Sequence, residues 1–145
     1  VGFGAEKAIN YREADFGDVI RAETGGAGVD VILDMVGGDY IKKNIALLKL
    51  EGRLVNIAFQ NGAEATLNLL PLMLKRLTIT GSTLRARSHA EKAEIAEAVR
   101  AHVWPLIEGG KVKPVVDSVF AMENVAEAHV KMAGSSHIGK ILLTP

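Results

Sequence analysis

GVDVILDMVGGDYIKKNIALLKLEGRLVNIAF, residues 28–59, decides the fold. VDVILDMV (29–36) is mostly apolar and rich in β-branched residues, which predicts a strand covered on both faces. Gly37-Gly38 turns the chain, and Asp39 is placed to cap a helix carrying Ile41, Ile45 and Leu48 along one side. Glu51-Gly52 ends that helix, and RLVNIAF (53–59) reads as a second strand. Strands separated by one crossover helix imply a βαβ unit and parallel pairing.

The flanking sequence continues the alternation. KAINY (7–11) is a short β-like run, and Asp15 is a plausible N-cap for a helix bearing Phe16, Val19 and Ile20. That helix stops at Thr24-Gly25-Gly26. Downstream, NGAEA (61–65) is a loop, Leu69 to Leu77 is helical with Pro71 in its first turn, and LTITGSTL (77–84) is strand-like. Ser88-His89-Ala90-Glu91 forms a capping box, followed at helical spacing by Ile95, Val99, His102, Val103 and Leu106. Pro105 should kink or end that helix, and Gly109-Gly110 closes it. VKPVVDSVF (112–120) is extended, a helix runs from about Met122 to Met132, and KILLT (140–144) is a last strand. The last third breaks the rhythm, so its two strands are expected in another layer.

Composition narrows the function. Seventeen basic and seventeen acidic residues cancel, which argues against nucleic acid or an anionic membrane as the main partner. No apolar run approaches the ~20 residues that span a bilayer. The chain has no cysteine, which excludes thiolate zinc sites and leans towards a cytoplasmic location. It begins at Val1, which points to processing or to a piece of a longer protein.

Several motifs invite a reading and fail their context. Gly134 to Lys140 spells G-x-x-x-x-G-K, but a phosphate loop follows a strand and opens a helix. Here a helix precedes it, Ile141 stands where magnesium needs Ser or Thr, and five residues remain. Gly2-Phe3-Gly4 begins a dinucleotide fingerprint, yet Lys7 occupies the third glycine position. His89, His102, His129 and His137 lack metal-binding spacing, and no serine sits in a G-x-S-x-G elbow. No metal site and no catalytic side chain is assigned.

Positional evidence remains. In open α/β sheets, ligands sit beyond the carboxyl ends of the strands. Three such ends are readable: Asp34 to Gly38, Ala58 to Gly62, and Gly81 to Arg85. Each joins small residues to one larger side chain. Asp34 alone could cap a helix or bond a neighbouring loop.

GAEKAINY, GAGVDVILDMVGG, LEGRLVNIAF, LTITGSTLRAR and HIGKILLTP, in this order, resemble the zinc-independent quinone oxidoreductases of the medium-chain dehydrogenase/reductase superfamily. The resemblance covers essentially the whole chain. It implies an α/β fold: a partial Rossmann-type parallel sheet whose C-terminal strands return to a GroES-like domain that is largely absent. Residues 1–110 would be the C-terminal part of the dinucleotide-binding domain, without its glycine-rich phosphate loop, and 111–145 the returning segment. Because the family's partner strands for KAINY and VDVILDMV are missing, the chain is expected to be poorly suited to a normal Rossmann sheet.

By position, the resemblance places Tyr11 near the adenosine phosphate and Met35 and Val36 beside the cofactor ribose and nicotinamide. It places Ala58, Phe59 and Gln60 in the loop that cradles the nicotinamide, and Ser82, Thr83 and Leu84 in the next cofactor-facing loop. Gln60 stands where the family often has glycine. The implied cofactor is NADP(H), and the implied reaction is hydride transfer to a quinone or enone acceptor, with the chain alone not catalytically competent. The 77–84 edge strand would pair two subunits into a homodimer. Two other readings stay open: a non-catalytic dimerisation module, and a methyltransferase, whose sequences VDVILDMVGG and EGRLV imitate.

Overall fold

A computed structural model describes Gly2 and residues 4–145, so the Gly2-Phe3-Gly4 reading lies partly outside the described residues. The chain forms two units, dividing between Arg87 and Ser88.

The first unit is built on a three-stranded parallel sheet in the order β1-β2-β3, with β1 at Val29–Asp34, β2 at Leu48–Asn56 and β3 at Thr78–Gly81. Helix α1 (Phe16–Glu23) precedes β1, α2 (Tyr40–Leu47) joins β1 to β2, and the short α3 (Leu70–Leu74) leads to β3. Ile41 and Ile45 of α2 bury against Leu48, Leu54 and Leu77, with Val29, Ile32, Leu67 and Leu72 packed around them. Burying a side chain of this size contributes about 1.5–3 kcal/mol, so this cluster is the unit's main source of stability.

Only one face of β1 is covered, contrary to the expectation from its apolar run. Ile32 faces the core, while Val31 and Leu33 remain 62% and 63% exposed. Alternation along a strand sends these residues to opposite faces, and α2 packs on that of Ile32.

KAINY is not a strand: residues 7–10 are irregular and Tyr11 lies in a turn. A strand exists only if a neighbour completes its hydrogen bonds, and among the described residues none pairs with this segment. Its Lys7 instead bonds Glu23 of α1 at 2.7 Å. Asp15 caps α1 as expected, accepting from the N–H of Gly17 and Asp18 at 2.8 and 3.2 Å. Lys43 then bonds Asp15 at 2.5 Å, and the Phe16 and Tyr40 rings meet at 4.9 Å, tying α1 to α2.

Several boundaries differ from the sequence reading. Helix α2 stops at Leu47, and Leu48 is already extended opposite Val29, so β2 begins five residues earlier than Arg53 and ends at Asn56. Asp39 does not cap α2 with its side chain; it is itself helical, and the carbonyls of Gly37 and Gly38 accept the first helical amides, those of Tyr40 and Ile41. Helix α3 ends at Leu74 because Arg76 turns left-handed (φ 50°) and the Leu77 N–H returns to the Leu72 carbonyl at 3.0 Å. Arg76 then clasps Glu51, also left-handed (φ 61°), at 2.7 Å, and Lys75 donates to the Leu48 carbonyl at 2.7 Å. Strand β3 is shorter than 77–84, and all four of its residues are exposed.

The second unit opens with α4 (His89–His102). Its capping box forms as read: the Glu91 N–H donates to Ser88 Oγ at 3.2 Å, and Glu91 accepts the Ser88 N–H at 2.9 Å. The helix ends before Pro105, which sits in the first turn of the short α5 (Trp104–Glu108). Strands β4 (Val116–Ala121) and β5 (Lys140–Thr144) pair in parallel as a separate sheet, as expected of another layer. A single 3-10 turn (Met122–Asn124) and α6 (Val125–Ala133) connect them.

The G-x-x-x-x-G-K match is explained here. Gly139 has φ +118°, a Cβ on it would stand 2.5 Å from the Val115 carbonyl, and the next residue, Lys140, starts β5 by donating to that same carbonyl at 2.8 Å. The glycine serves a close backbone approach, and a strand follows where a phosphate loop needs a helix. Asp117 closes the same corner, accepting the Ile138 N–H at 3.0 Å and pairing with Lys131 of α6.

Two outcomes follow for stability. Gly28 has φ +84°, and a Cβ on it would come within 2.1 Å of the Leu47 carbonyl. Gly28→Ala should destabilise the first unit by more than ~1 kcal/mol in urea unfolding, whereas the exposed Gly25→Ala, left-handed but with open space, should cost less. Lys131, and then the Ile138 amide, hold the Asp117 carboxyl down to about 2 from its ordinary 3.8. A lowered carboxyl stabilises fully above its unfolded value and loses that contribution as pH falls through its folded value. Unfolding followed from about pH 5 to about pH 2 should therefore show a decline in the second unit that Asp117→Asn flattens.

Candidate functional site

Parallel strands end on one side, so the carboxyl ends of β1, β2 and β3 bring three loops together. The first two are zipped by an extension of the β1–β2 ladder past the strand ends. Ile57 N–H donates to the Asp34 carbonyl at 2.8 Å, Gln60 to Met35 at 3.1 Å and Asn61 to Val36 at 2.7 Å. The Gly38 N–H returns to the Gly62 carbonyl at 2.9 Å. Gly37 and Gly38 leave no room for side chains: a Cβ on Gly37 would stand 2.7 Å from Phe59 Cδ1, and one on Gly38 2.5 Å from the Asn61 carbonyl. The third loop attaches through the Ser82 N–H, which donates to the Asn56 carbonyl at 3.0 Å, and Arg87 donates to Ser82 Oγ at 3.0 Å.

Between the second and third loops lies a mainly apolar cavity of about 390 Å³, lined by Asn56, Ile57, Ala58, Phe59, Gly81, Ser82 and Thr83. Four of the sequence-predicted residues therefore meet here: Ala58, Phe59, Ser82 and Thr83. Met35, Val36 and Gln60 belong to the zipped loops beside it, joined through backbone bonds. Leu84 is 57% exposed and outside the lining. Tyr11 lines a different cavity, with residues 12–16, Tyr40 and Lys43. In that cavity the Lys43 ammonium already bonds Asp15, which raises the Lys43 pKa and lowers that of Asp15, and it lies 5.6 Å from the Phe16 ring centroid. A larger hollow of about 570 Å³ is lined by Gly38, Asp39, Lys42, Glu64, Ala65 and Thr66. Its mixed charges and polar walls suit solvent better than a planar ring, so the smaller strand-end cavity is the better candidate.

Three residues of the cavity lining, Asn56, Ile57 and Gly81, are not among the site residues named from the sequence. Gly81 forms part of the lining, where a Cβ would stand 3.0 Å from the Asn56 carbonyl. Asn56 is buried to 9% exposure, its Nδ2 reaches the Thr80 carbonyl at 3.4 Å, and its Oδ1 has no partner. A single polar residue within the apolar run LVNIAF (54–59) was the available signal. Asp34, read as a cap or a loop bond, proves to be the latter: it accepts the N–H of Val36 at 2.9 Å and of Gly37 at 3.1 Å.

The family model described as zinc-binding dehydrogenase matches residues 3–143. The chain belongs to the zinc-binding dehydrogenase family. Quinone oxidoreductase of Homo sapiens is 33% identical over 143 residues, covering 97% of this chain and 41% of the relative. 2-Haloacrylate reductase of Burkholderia sp is 29% identical over 147 residues, covering 98% of this chain and 43% of the relative. A crystal structure of 2-haloacrylate reductase superposes with a TM-score of 0.76 at 29% identity, over 98% of this chain and 44% of that one. The resemblance to quinone oxidoreductases and the partial Rossmann-type α/β fold are borne out, and the chain spans about two fifths of the curated relatives it matches.

The chain has no cysteine, and among the described residues no three His, Asp or Glu side chains gather as metal ligands. The methyltransferase reading is set aside by the family match.

If the zipper holds the loops, Gly37→Ala should open it. Hydrogen exchange at the amides of Gln60 and Asn61 is expected to quicken by about tenfold or more, while that of Leu54 stays slow.

Proposed function

We propose that this chain supplies the nicotinamide-binding loops of an NADPH-dependent oxidoreductase that passes hydride to a quinone or activated alkene. The observation that carries the reading is the apolar strand-end cavity between Phe59 and Thr83, on a fold whose relatives are named as quinone oxidoreductases and a haloacrylate reductase. A flat, uncharged ring fits such a cavity, and Gly81 keeps its wall low. Ala58, Phe59, Ser82 and Thr83 would hold the ring by packing and backbone bonds, Met35, Val36, Gln60 and Leu84 would border it, and Tyr11 would face the adenosine phosphate.

The bound cofactor supplies the hydride; the protein's part is to orient the ring and exclude water. No side chain is assigned as acid or base, because the acceptor can take its proton from solvent. The activity belongs to the whole protein, in which residues 1–110 complete the dinucleotide-binding domain and 111–145 return to the catalytic one; the chain alone is not competent. The exposed β3 edge supports a homodimer through residues 77–84, since a strand edge without a partner among the described residues offers a row of free N–H and C=O groups. Among the described residues no helix is long and apolar enough to cross a membrane, which suits the proposed cytoplasmic location.

Titrating the full-length protein with NADPH should quench protein fluorescence, and added quinone should oxidise the bound cofactor. Absence of both binding and oxidation would sink the proposal. Gly81→Val should weaken NADPH binding by about tenfold, the effect expected of overpacking a wall where a Cβ already stands only 3.0 Å from the Asn56 carbonyl.

A further inference from the structure

Asp34, the last residue of β1, is 4% exposed, and its register partner on β2 is Asn56, also buried. The rows just before them pair Ile32 with Leu54 and Leu33 with Val55, so the sheet turns from apolar to polar at the level where the loops begin. Buried carboxylates are costly unless their oxygens are satisfied. Here Oδ1 accepts the Val36 N–H at 2.9 Å and Oδ2 accepts the Gly37 N–H at 3.1 Å. Bonds to an ionised acceptor are about twice as strong as neutral ones.

The segment so held is poorly able to hold itself. Gly37 and Gly38 follow each other with φ of +72° and +52°, and glycines populate many other conformations freely. Their shape must be imposed from outside. The backbone zipper to residues 57–62 fixes the carbonyls of Met35 and Val36, and Asp34 fixes the amides of Val36 and Gly37.

We propose that Asp34 is a positioning residue for the candidate cofactor site: its carboxylate locks the turn 35–38 in the one geometry that presents Met35 and Val36 to the ligand. It touches no ligand itself. The inference rests on the reading that these loops hold a nicotinamide cofactor.

Hydrogen exchange and NADPH titration on the full-length protein test it, with Asp34→Asn and Asp34→Ala. Asn keeps the size and one acceptor oxygen; Ala keeps neither. Exchange at Val36 and Gly37 should quicken by about tenfold in Asp34→Asn and further in Asp34→Ala, with Leu54 and Val55 unchanged. The dissociation constant for NADPH should rise in the same order. Unchanged exchange at Val36 and Gly37 would overturn the lock. So would quickening equal to that of Leu54 and Val55, or failure of Asp34→Asn to fold, since either makes the role structural only. Faster exchange with unaltered NADPH affinity would overturn the positioning role. If the unmutated protein binds no NADPH, the proposed function falls, while the exchange experiment still decides whether Asp34 locks the turn.

Discussion

The parallel pairing of β1 with β2 is the constraint on which the first unit depends. Two parallel neighbours cannot be joined by a tight turn, so the chain between them must cross over, and the crossover becomes α2. That helix needs an apolar stripe against the sheet, and Ile41 and Ile45 provide it over Leu54. Parallel pairing also sends both strands out at the same end. The loops that follow are then neighbours, and the ladder runs on into them through Ile57, Gln60 and Asn61. The cavity beside Phe59 is a consequence of this geometry rather than a separate invention.

The same sheet shows what this length of chain leaves undone. Val31 and Leu33 stand exposed on the face opposite α2, and β3 presents a free edge. Among fully buried large side chains, Leu47, Leu48 and Leu54 lie within one stretch of the crossover. In doubly wound α/β folds both faces of a parallel sheet are covered, which is why the β1 sequence is apolar on both. The chain spans about two fifths of the relatives it matches.

Legibility followed the range of the interaction. The Ser88–Glu91 capping box and the Asp15 cap were readable because each joins residues two or three apart. Strand β5 was read to the residue, since Gly139 and the KILLT run mark it locally. KAINY looked like a strand because its composition is that of one, but strand formation depends on a distant partner. Leu48 looked like the end of a helix stripe, and pairing with Val29 made it the start of a strand. At the site, Ala58, Phe59, Ser82 and Thr83, named from the resemblance, line one cavity, while Tyr11 and Leu84 lie outside it. Asn56 was missed because inward-facing polarity in a strand has no local signature beyond the residue itself.

The sequence by itself determined the β1–α2–β2 crossover, and its ordered motifs pointed to the family, because these follow from hydrophobic period, turn residues and motifs that are local in the chain. It also dismissed the G-K motif as a phosphate loop, since the helix that such a loop opens had no room. Tertiary structure decided which face of β1 is covered, where β2 begins, and that Asp34 and Asn56 lie side by side under the loops. Those outcomes rest on hydrogen bonds and packing between residues some twenty positions apart, whose free energy is set only when the strands meet.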